Sequence, residues 1–257
     1  NTFIAIGILM LITLVFGSFI KNPPAGYIPA DDAQTAAKTA DQNTDLMLSA
    51  RDCILSKKWA LMWLVLFINV TAGIMFIGFQ SPMLQDILAK ANPGMNTTAL
   101  AAAGATLIAA SSIFNGIGRF FWGGLSDRIG RSQTFRIILG TQVVAFIALG
   151  YINSPVLFSI LVCYVLLCYG GGFGTMPSFV LEVFGARRMP VVYGTILTAW
   201  SCAGVAGPQI AAVMKDTYKE NAGPLTFATG AGLLALGFVF SLFLNNAPFA
   251  GKKNRHG

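Results

Sequence analysis

Arg119 is the residue whose type and position point most directly to chemistry, because it lies inside a long apolar run. A charged side chain near the centre of a membrane span costs about 2.5–3.5 kcal/mol on insertion scales, so such a residue tends to mark a site or a pathway. No Asp or Glu occurs in the apolar part of any predicted span. A guanidinium without an acidic partner can bind a carboxylate through two parallel hydrogen bonds. Arg119 therefore indicates a site for an organic anion.

A structural alternative for Arg119 stays open. The residue lies five positions, or about 7 Å, before Gly124 at the predicted end of its span, so the guanidinium could reach water there. However, helical side chains tilt toward the helix N-terminus, which here points toward the bilayer centre. That direction favours the site over the exposed cation.

Two polar residues precede Arg119 at helical spacing. Asn115 lies one turn before it and Ser111 one turn further back, so the three share a face. This face either lines a polar cavity or supplies hydrogen bonds between helices, which we favour for Ser111. Asn115 is the candidate cavity residue.

The composition indicates that a lipid bilayer surrounds these residues. The 257 residues are 55% hydrophobic and 11% charged, against about 25% charged in soluble domains. This disfavours a soluble enzyme, a nucleic-acid-binding module and a secreted disulfide scaffold. His256 is the single histidine and the four cysteines form no C-x-x-C pair, so we predict no metal, no cofactor and no enzymatic activity.

The fold class predicted is an all-α polytopic membrane helix bundle. A span needs about 20 mostly apolar residues, and seven such runs occur. The chain begins with Asn and lacks a basic region before the first run, so we expect a piece of a longer protein rather than a signal peptide. The predicted spans are Thr2–Ile20, Trp59–Phe79, Ala99–Gly124, Phe135–Ile152, Val156–Val183, Val191–Met214 and Leu225–Leu244.

The distribution of Lys and Arg predicts the orientation of the bundle. Twelve of the 17 lie in the connecting segments of one side and three in those of the other. The segments of the first side are 21–58, 125–134, 184–190 and 245–257, and those of the second are 80–98, 153–155 and 215–224. Because cytoplasmic loops carry the excess of cations, the C-terminus is expected in the cytoplasm and the protein in the inner cell membrane.

The segment 21–58 is the one long connection. It starts with Pro, Gly and Asp residues (KNPPAGYIPADD), which are typical of an extended linker. It ends with apolar residues at helical spacing beside basic ones, which predicts a short interfacial helix before the next span.

A polar loop between the third and fourth spans resembles a known family motif. The sequence from Gly123 to Arg131 (GGLSDRIGR) is similar to the G-x-x-x-D-R-x-G-R loop of the major facilitator superfamily. The resemblance implies a network that stabilises one conformation during transport. The alternative is that the arginines merely fix topology. The implied gating residues are Gly123, Asp127, Arg128, Gly130 and Arg131.

A narrower resemblance is to the oxalate/formate antiporter group of that superfamily. It is carried by Lys21–Tyr27, Thr71–Gly78, Tyr169–Pro177 and Thr198–Pro208. It implies the C-terminal portion of a twelve-span transporter, whose substrate site lies between two halves that rock against each other. The implied parts are 1–20, the last span of an otherwise missing N-terminal half; 21–58, the cytoplasmic inter-half loop; 59–246, the C-terminal six-helix bundle; and 247–257, the cytoplasmic tail.

The same resemblance bears on the substrate. Oxalate exchangers of the group carry a Lys in the penultimate span, and Trp200 stands at or near that position here. One buried cation suits one carboxylate, so the expected substrate is a monocarboxylate such as pyruvate, lactate or formate. Related monocarboxylate carriers place an Asp where Asn115 stands, which disfavours a proton-carrying role there. Tyr169 and Tyr193 are candidate hydroxyl donors, although packing explains them and Trp200 equally well.

Other functions remain as alternatives. One is an oxalate or dicarboxylate exchanger or a drug carrier, which would need further charged groups from the missing half. Another is a membrane-embedded anion sensor, which would bind the anion without moving it. The expected partners are the anion, the lipid bilayer and the missing half, and no nucleic acid.

Four glycines of the fifth span complete the pattern. Gly170, Gly171, Gly172 and Gly174 lack the Lys-Ser/Thr of a phosphate-binding loop and lie in an apolar run. They predict close packing between helices.

Overall fold

The computed structural model describes residues 2–19, 49–219 and 222–249. The chain divides into two compact units, Asn1–Asp45 and Leu46–Gly257, with α1 in the first and α2 to α10 in the second. Residues 21–48 of the inter-half loop expected at 21–58, and residues 250–257 of the tail expected at 247–257, lie outside the described residues. The helices are α1 (Thr2–Ser18), α2 (Ala50–Ile54), α3 (Lys57–Ile77), α4 (Gln80–Ala91), α5 (Thr97–Ile129), α6 (Arg131–Leu149), α7 (Pro155–Phe184), α8 (Met189–Ile196), α9 (Thr198–Tyr218) and α10 (Ala222–Leu242).

Six apolar stretches are long enough to cross a membrane, among the residues the structure describes. They are α3, α5, α6, α7, α8 together with α9, and α10, and they confirm six of the seven predicted spans. The seventh, predicted at 2–20, is the 17-residue helix α1. At 1.5 Å per residue α1 is about 26 Å long, somewhat shorter than a typical bilayer core.

The bundle starts slightly earlier than the predicted boundary at residue 59. Helix α3 begins at Lys57 because the Ser56 side chain caps it, accepting a hydrogen bond from the Trp59 amide. The expected short helix before it is α2, which opens with a capping box between Ser49 and Asp52. In both helices the start is thus fixed by a serine and a residue three positions after it.

Two stretches differ from the expectation. Residues 80–91, predicted as part of a connecting segment, form the helix α4 directly after α3. The sixth span is interrupted at Leu197, between α8 and α9, while α9 continues through Pro208. The hydroxyls of Thr195 and Thr198 donate to backbone carbonyls beside the interruption, and such bonds compete with the helical ladder.

The core of the bundle is aromatic and aliphatic, with one buried polar pair. Phe76, Phe146 and Phe158 are almost fully buried. Within this apolar core, the amide of Gln142 donates to Asn69 Oδ1 at 2.7 Å, which joins α6 to α3. Helices that are apolar on all sides are typical of a bundle surrounded by lipid.

Candidate functional site

Arg119 lies on α5, ten residues before the helix ends at Ile129. That separation is about 15 Å along the axis, twice the distance the sequence suggested. The helix has 33 residues, or about 50 Å, and so exceeds a bilayer core of about 30 Å. The helix therefore continues past the predicted end of the span at Gly124, because the polar residues that follow Gly124 remain helical.

The guanidinium of Arg119 faces an aromatic ring rather than an acid. Its Cζ lies 5.8 Å from the centroid of the Phe173 ring on α7, which is cation–π geometry. The ion pairs of the described residues involve Arg131 alone, so no described acid neutralises Arg119. The side chain is exposed, and its hydrogen-bond donors are available to a ligand.

Phe173 joins Arg119 to two of the predicted residues. Its ring lies 5.4 Å from that of Tyr169 and 5.9 Å from that of Trp200, both at steep interplanar angles. The structure thus brings Arg119, Tyr169 and Trp200 together around Phe173, a residue that the sequence analysis missed, while Tyr193 lies half buried on α8.

A sequence signal for Phe173 exists in retrospect. It lies four residues after Tyr169, so the two share a face of α7. The two aromatic residues in contact with Phe173 differ in exposure: Tyr169 is buried, whereas Trp200 on α9 is half exposed. The aromatic group therefore runs from the interior of the bundle to its surface, and the Arg119 cation lies beside it.

Glycines of α7 explain how α5 approaches closely enough to place Arg119 there. A Cβ on Gly174 would lie 2.4 Å from the Arg119 carbonyl oxygen, and one on Gly170 would lie 2.0 Å from that of Asn115. Backbone therefore packs on backbone at both positions. This is the close helix packing that the glycine-rich run predicts.

Asn115 lies against α7, one turn from Arg119. Its side chain is half buried, and its Oδ1 would be 2.7 Å from a Cβ on Gly170. That Oδ1 is buried without a hydrogen-bond partner among the described residues. Ser111 is buried and its hydroxyl donates to the Ile108 carbonyl at 3.1 Å, which fits a place in the helix interface.

The loop between α5 and α6 contains a network centred on Arg131. Its guanidinium pairs with Asp127, donates to the Ser126 hydroxyl and lies 3.4 Å from the Gly123 carbonyl oxygen. It also lies 3.7 Å from Glu182 at the end of α7. One side chain therefore connects α5, α6 and α7.

The remaining loop residues differ in their roles. Gly130 has φ of +90°, a conformation that favours glycine, and forms the turn between the helices. Arg128 is exposed, and no side-chain bond from it occurs among the described residues. Glu182 was not among the predicted gating residues, since nothing in the sequence places it beside Arg131.

These features define a polytopic helical membrane protein with a cation that none of the described acids pairs, beside an aromatic cluster. Residues 1–208 match the profile of the Major Facilitator Superfamily. The chain belongs to that superfamily, which confirms the family predicted from the loop.

Individual proteins show which members of the superfamily this chain is similar to. The chain is 23% identical over 222 residues to the oxalate:formate antiporter of Oxalobacter formigenes, covering 85% of this chain and 49% of that protein. It is 29% identical to the multidrug resistance protein MdtG of Proteus mirabilis (53% of this chain, 33% of that protein). It is 27% identical to apicoplast pyruvate carrier 1 of Toxoplasma gondii (58% and 27%).

These matches support the resemblance to the oxalate/formate antiporter group. The chain spans about half the length of the antiporter it matches, and less of the other two. The superfamily and the relatives point to a transporter, not to an enzyme.

Proposed function

We propose that this chain is the C-terminal portion of a secondary transporter that moves a small organic anion across the inner cell membrane by alternating access. The observation that carries the proposal is the Arg119 guanidinium, exposed beside Phe173 and without an acidic partner among the described residues. A fixed cation beside aromatic rings suits a small carboxylate, whose charge binds the guanidinium while its apolar part lies on the rings.

The substrate we favour is a monocarboxylate such as pyruvate, lactate or formate. The span that carries Lys in oxalate exchangers has Trp200 here, and Trp200 contacts Phe173 in the aromatic group. The bundle thus offers one cation for one carboxylate. The names of two relatives, an oxalate:formate antiporter and a pyruvate carrier, fit a small carboxylate, whereas the drug-resistance relative favours the broader alternative.

In this proposal the Arg131 network stabilises one gating state. The network joins the ends of three helices at one end of the bundle, and its bonds must break if those ends separate. In this proposal the Asn115 side-chain NH2 group and the hydroxyls of Tyr169 and Tyr193 donate the remaining hydrogen bonds to the anion.

Uptake by the full-length protein in proteoliposomes tests the proposal. Pyruvate, lactate, formate and oxalate are compared in the wild type, in Arg119→Gln and in the charge-conserving Arg119→Lys. Loss of a charged hydrogen-bond pair weakens binding of the anion by at least about tenfold. Arg119→Gln should therefore lose nearly all uptake, and Arg119→Lys should retain part of it. Undiminished uptake by Arg119→Gln contradicts the site. Binding without uptake in the wild type favours the anion sensor.

A second cation should change the specificity. Trp200→Lys places an ammonium near the Phe173 ring, which the Arg119 guanidinium also faces. We expect the ratio of oxalate to formate uptake to rise by at least about tenfold in Trp200→Lys, because a second carboxylate then gains a charged partner. Trp200→Gln is the matched control without the charge. An equal rise in both variants would show that the smaller side chain, and not the added charge, changes the specificity.

A further inference from the structure

A large cavity opens at the end of the bundle opposite the Arg131 network. Its volume is about 1010 Å³, and α3, α4, α6, α9 and α10 contribute to its lining. Three of its lining residues are Lys90, Lys215 and Lys219. These are all the Lys and Arg residues that the sequence analysis assigned to the second side of the membrane.

The three lysines come from two separate parts of the chain, the ends of α4 and of α9. Lys90 lies in the last turn of α4, Lys215 in the last turn of α9, and Lys219 directly follows α9. A cation at a helix C-terminus is favourable by itself, which explains each lysine singly. It does not explain why helices far apart in sequence direct all three toward one cavity.

The electrostatic balance of the cavity favours an anion. Asp86 is the acidic residue among the described lining residues. The ion pairs of the described part of the chain involve neither Asp86 nor the three lysines. The lining thus has a surplus of positive charge next to a membrane surface, where field lines are poorly screened by the low-dielectric interior.

The rest of the cavity is apolar. Phe76, Phe146 and Phe227 form a packed aromatic layer beneath its floor and are themselves buried, with ring centroids 5.1 to 6.4 Å apart. Phe79 lines it as well and is half buried, so it remains accessible to a ligand. Met83 and Ile87 of α4 are half buried in the lining too, and a cationic rim beside this apolar surface matches a molecule with a charged head and an apolar body.

We propose that this cavity, the lysine pocket, binds an anionic amphiphile with its oxyanion head at the three lysines and its apolar body on the half-buried side chains of Phe79, Met83 and Ile87. A carboxylate of two or three carbons would leave most of the volume unfilled, so the pocket is distinct from the transport site at Arg119. Two sources share the required chemistry: an anionic phospholipid of the bilayer and a free long-chain carboxylate from the water.

Binding of defined probes to the purified full-length protein tests the proposal. Phosphatidylglycerol retained from mixed nanodiscs is counted by native mass spectrometry. Radiolabelled decanoate and inorganic phosphate are measured by equilibrium dialysis against the protein in phosphatidylcholine nanodiscs, with empty nanodiscs subtracted. The test variant is Lys90→Gln/Lys215→Gln/Lys219→Gln. The control is Arg51→Gln/Lys57→Gln/Arg187→Gln, which removes three exposed cations outside the pocket.

We expect the lysine variant to bind phosphatidylglycerol or decanoate at least about tenfold more weakly, since each cation near an anionic head contributes, while the control stays within about twofold. The probe that binds more tightly identifies the source. Phe79→Ser should weaken the amphiphile and leave phosphate unchanged. If the triple variant does not fold, the single variant Lys219→Gln, beyond the helix end, should show a smaller loss in the same direction.

Three outcomes overturn the proposal. They are that the wild type binds neither amphiphile, that the lysine variant binds both as tightly as the wild type, and that inorganic phosphate binds as tightly as decanoate. None of these depends on uptake, so they are independent of the result at Arg119.

Discussion

Two arginines of the bundle occupy opposite electrostatic settings. Arg131 pairs with Asp127 and lies near Glu182, whereas Arg119 has no described acid and faces Phe173. A paired guanidinium uses its donors to hold helix ends together, and an unpaired one keeps them for a ligand. The same residue type therefore serves gating in one place and anion binding in the other, within the proposed function.

At this scale Arg131→Gln should impair transport more than Arg128→Gln. The first change removes the ion pair with Asp127 and the contact with Glu182, while the second removes an exposed cation. We expect at least about a tenfold lower transport rate for Arg131→Gln, with a substrate Kd within about threefold of the wild type, because a bond between charged groups is lost away from the site.

Exchange rates in proteoliposomes and equilibrium binding of the same anion separate the two effects. Equal losses in Arg128→Gln and Arg131→Gln would indicate that the loop acts through its total charge, as in a purely topological role.

At the scale of the elements, the contact between α5 and α7 positions the site. Gly174 lets the backbone of α5 approach at Arg119, and Gly170 does so at Asn115. Small residues at such contacts are the usual means by which membrane helices pack closely. The aromatic group and the cation therefore depend on glycines that contact no ligand.

Gly174→Ala should destabilise the bundle, whereas Gly116→Ala should not. The added Cβ at Gly174 would meet backbone atoms of Arg119 at 2.4 to 2.9 Å, while the one at Gly116 would meet nothing within 4 Å. Overpacking costs about 1–3 kcal/mol, and replacing Gly by Ala within a helix gains up to about 1 kcal/mol. We therefore expect a lower melting temperature for Gly174→Ala and an unchanged or higher one for Gly116→Ala.

Thermal denaturation of both variants in detergent measures this difference. If Gly174→Ala has the same melting temperature as the wild type, α5 and α7 separate easily. The glycine contact would then not fix the position of Arg119.

For the whole molecule, the alternation of six spans puts the Arg131 network and the lysine pocket at opposite ends of the bundle. The excess of Lys and Arg lies at the network end, in the segments 49–58, 125–134 and 184–190 among the described residues. By the positive-inside rule that end faces the cytoplasm in the proposed transporter.

Cysteine labelling of intact cells tests this orientation. In a Cys202→Ser background, where the three remaining cysteines are buried, Gly94→Cys should react with a membrane-impermeant maleimide. Arg187→Cys should react only after permeabilisation, because it lies at the cation-rich end. The reverse pattern would invert the topology and place the lysine pocket in the cytoplasmic leaflet.

The sequence by itself determined the features that depend on short stretches of chain. Six spans follow from runs of apolar residues, the caps of α2 and α3 from single serines, and the family from the loop at Gly123–Arg131. Arg119 can be identified from the sequence because a charged residue inside an apolar run is unusual whatever its neighbours in space are. Helix lengths were less accurate, since polar residues at the end of α5 extend the helix beyond the apolar run.

Only the tertiary structure decided which side chains meet. Phe173 beside Arg119, Glu182 beside Arg131, and the convergence of Lys90, Lys215 and Lys219 each join helices that are distant in the chain. Hydropathy in an apolar helix is nearly uniform around its axis, so the sequence does not set the rotation of the helix toward its neighbours. That rotation is fixed by close packing at particular residues, such as the glycines of α7, and exists only once the helices are assembled.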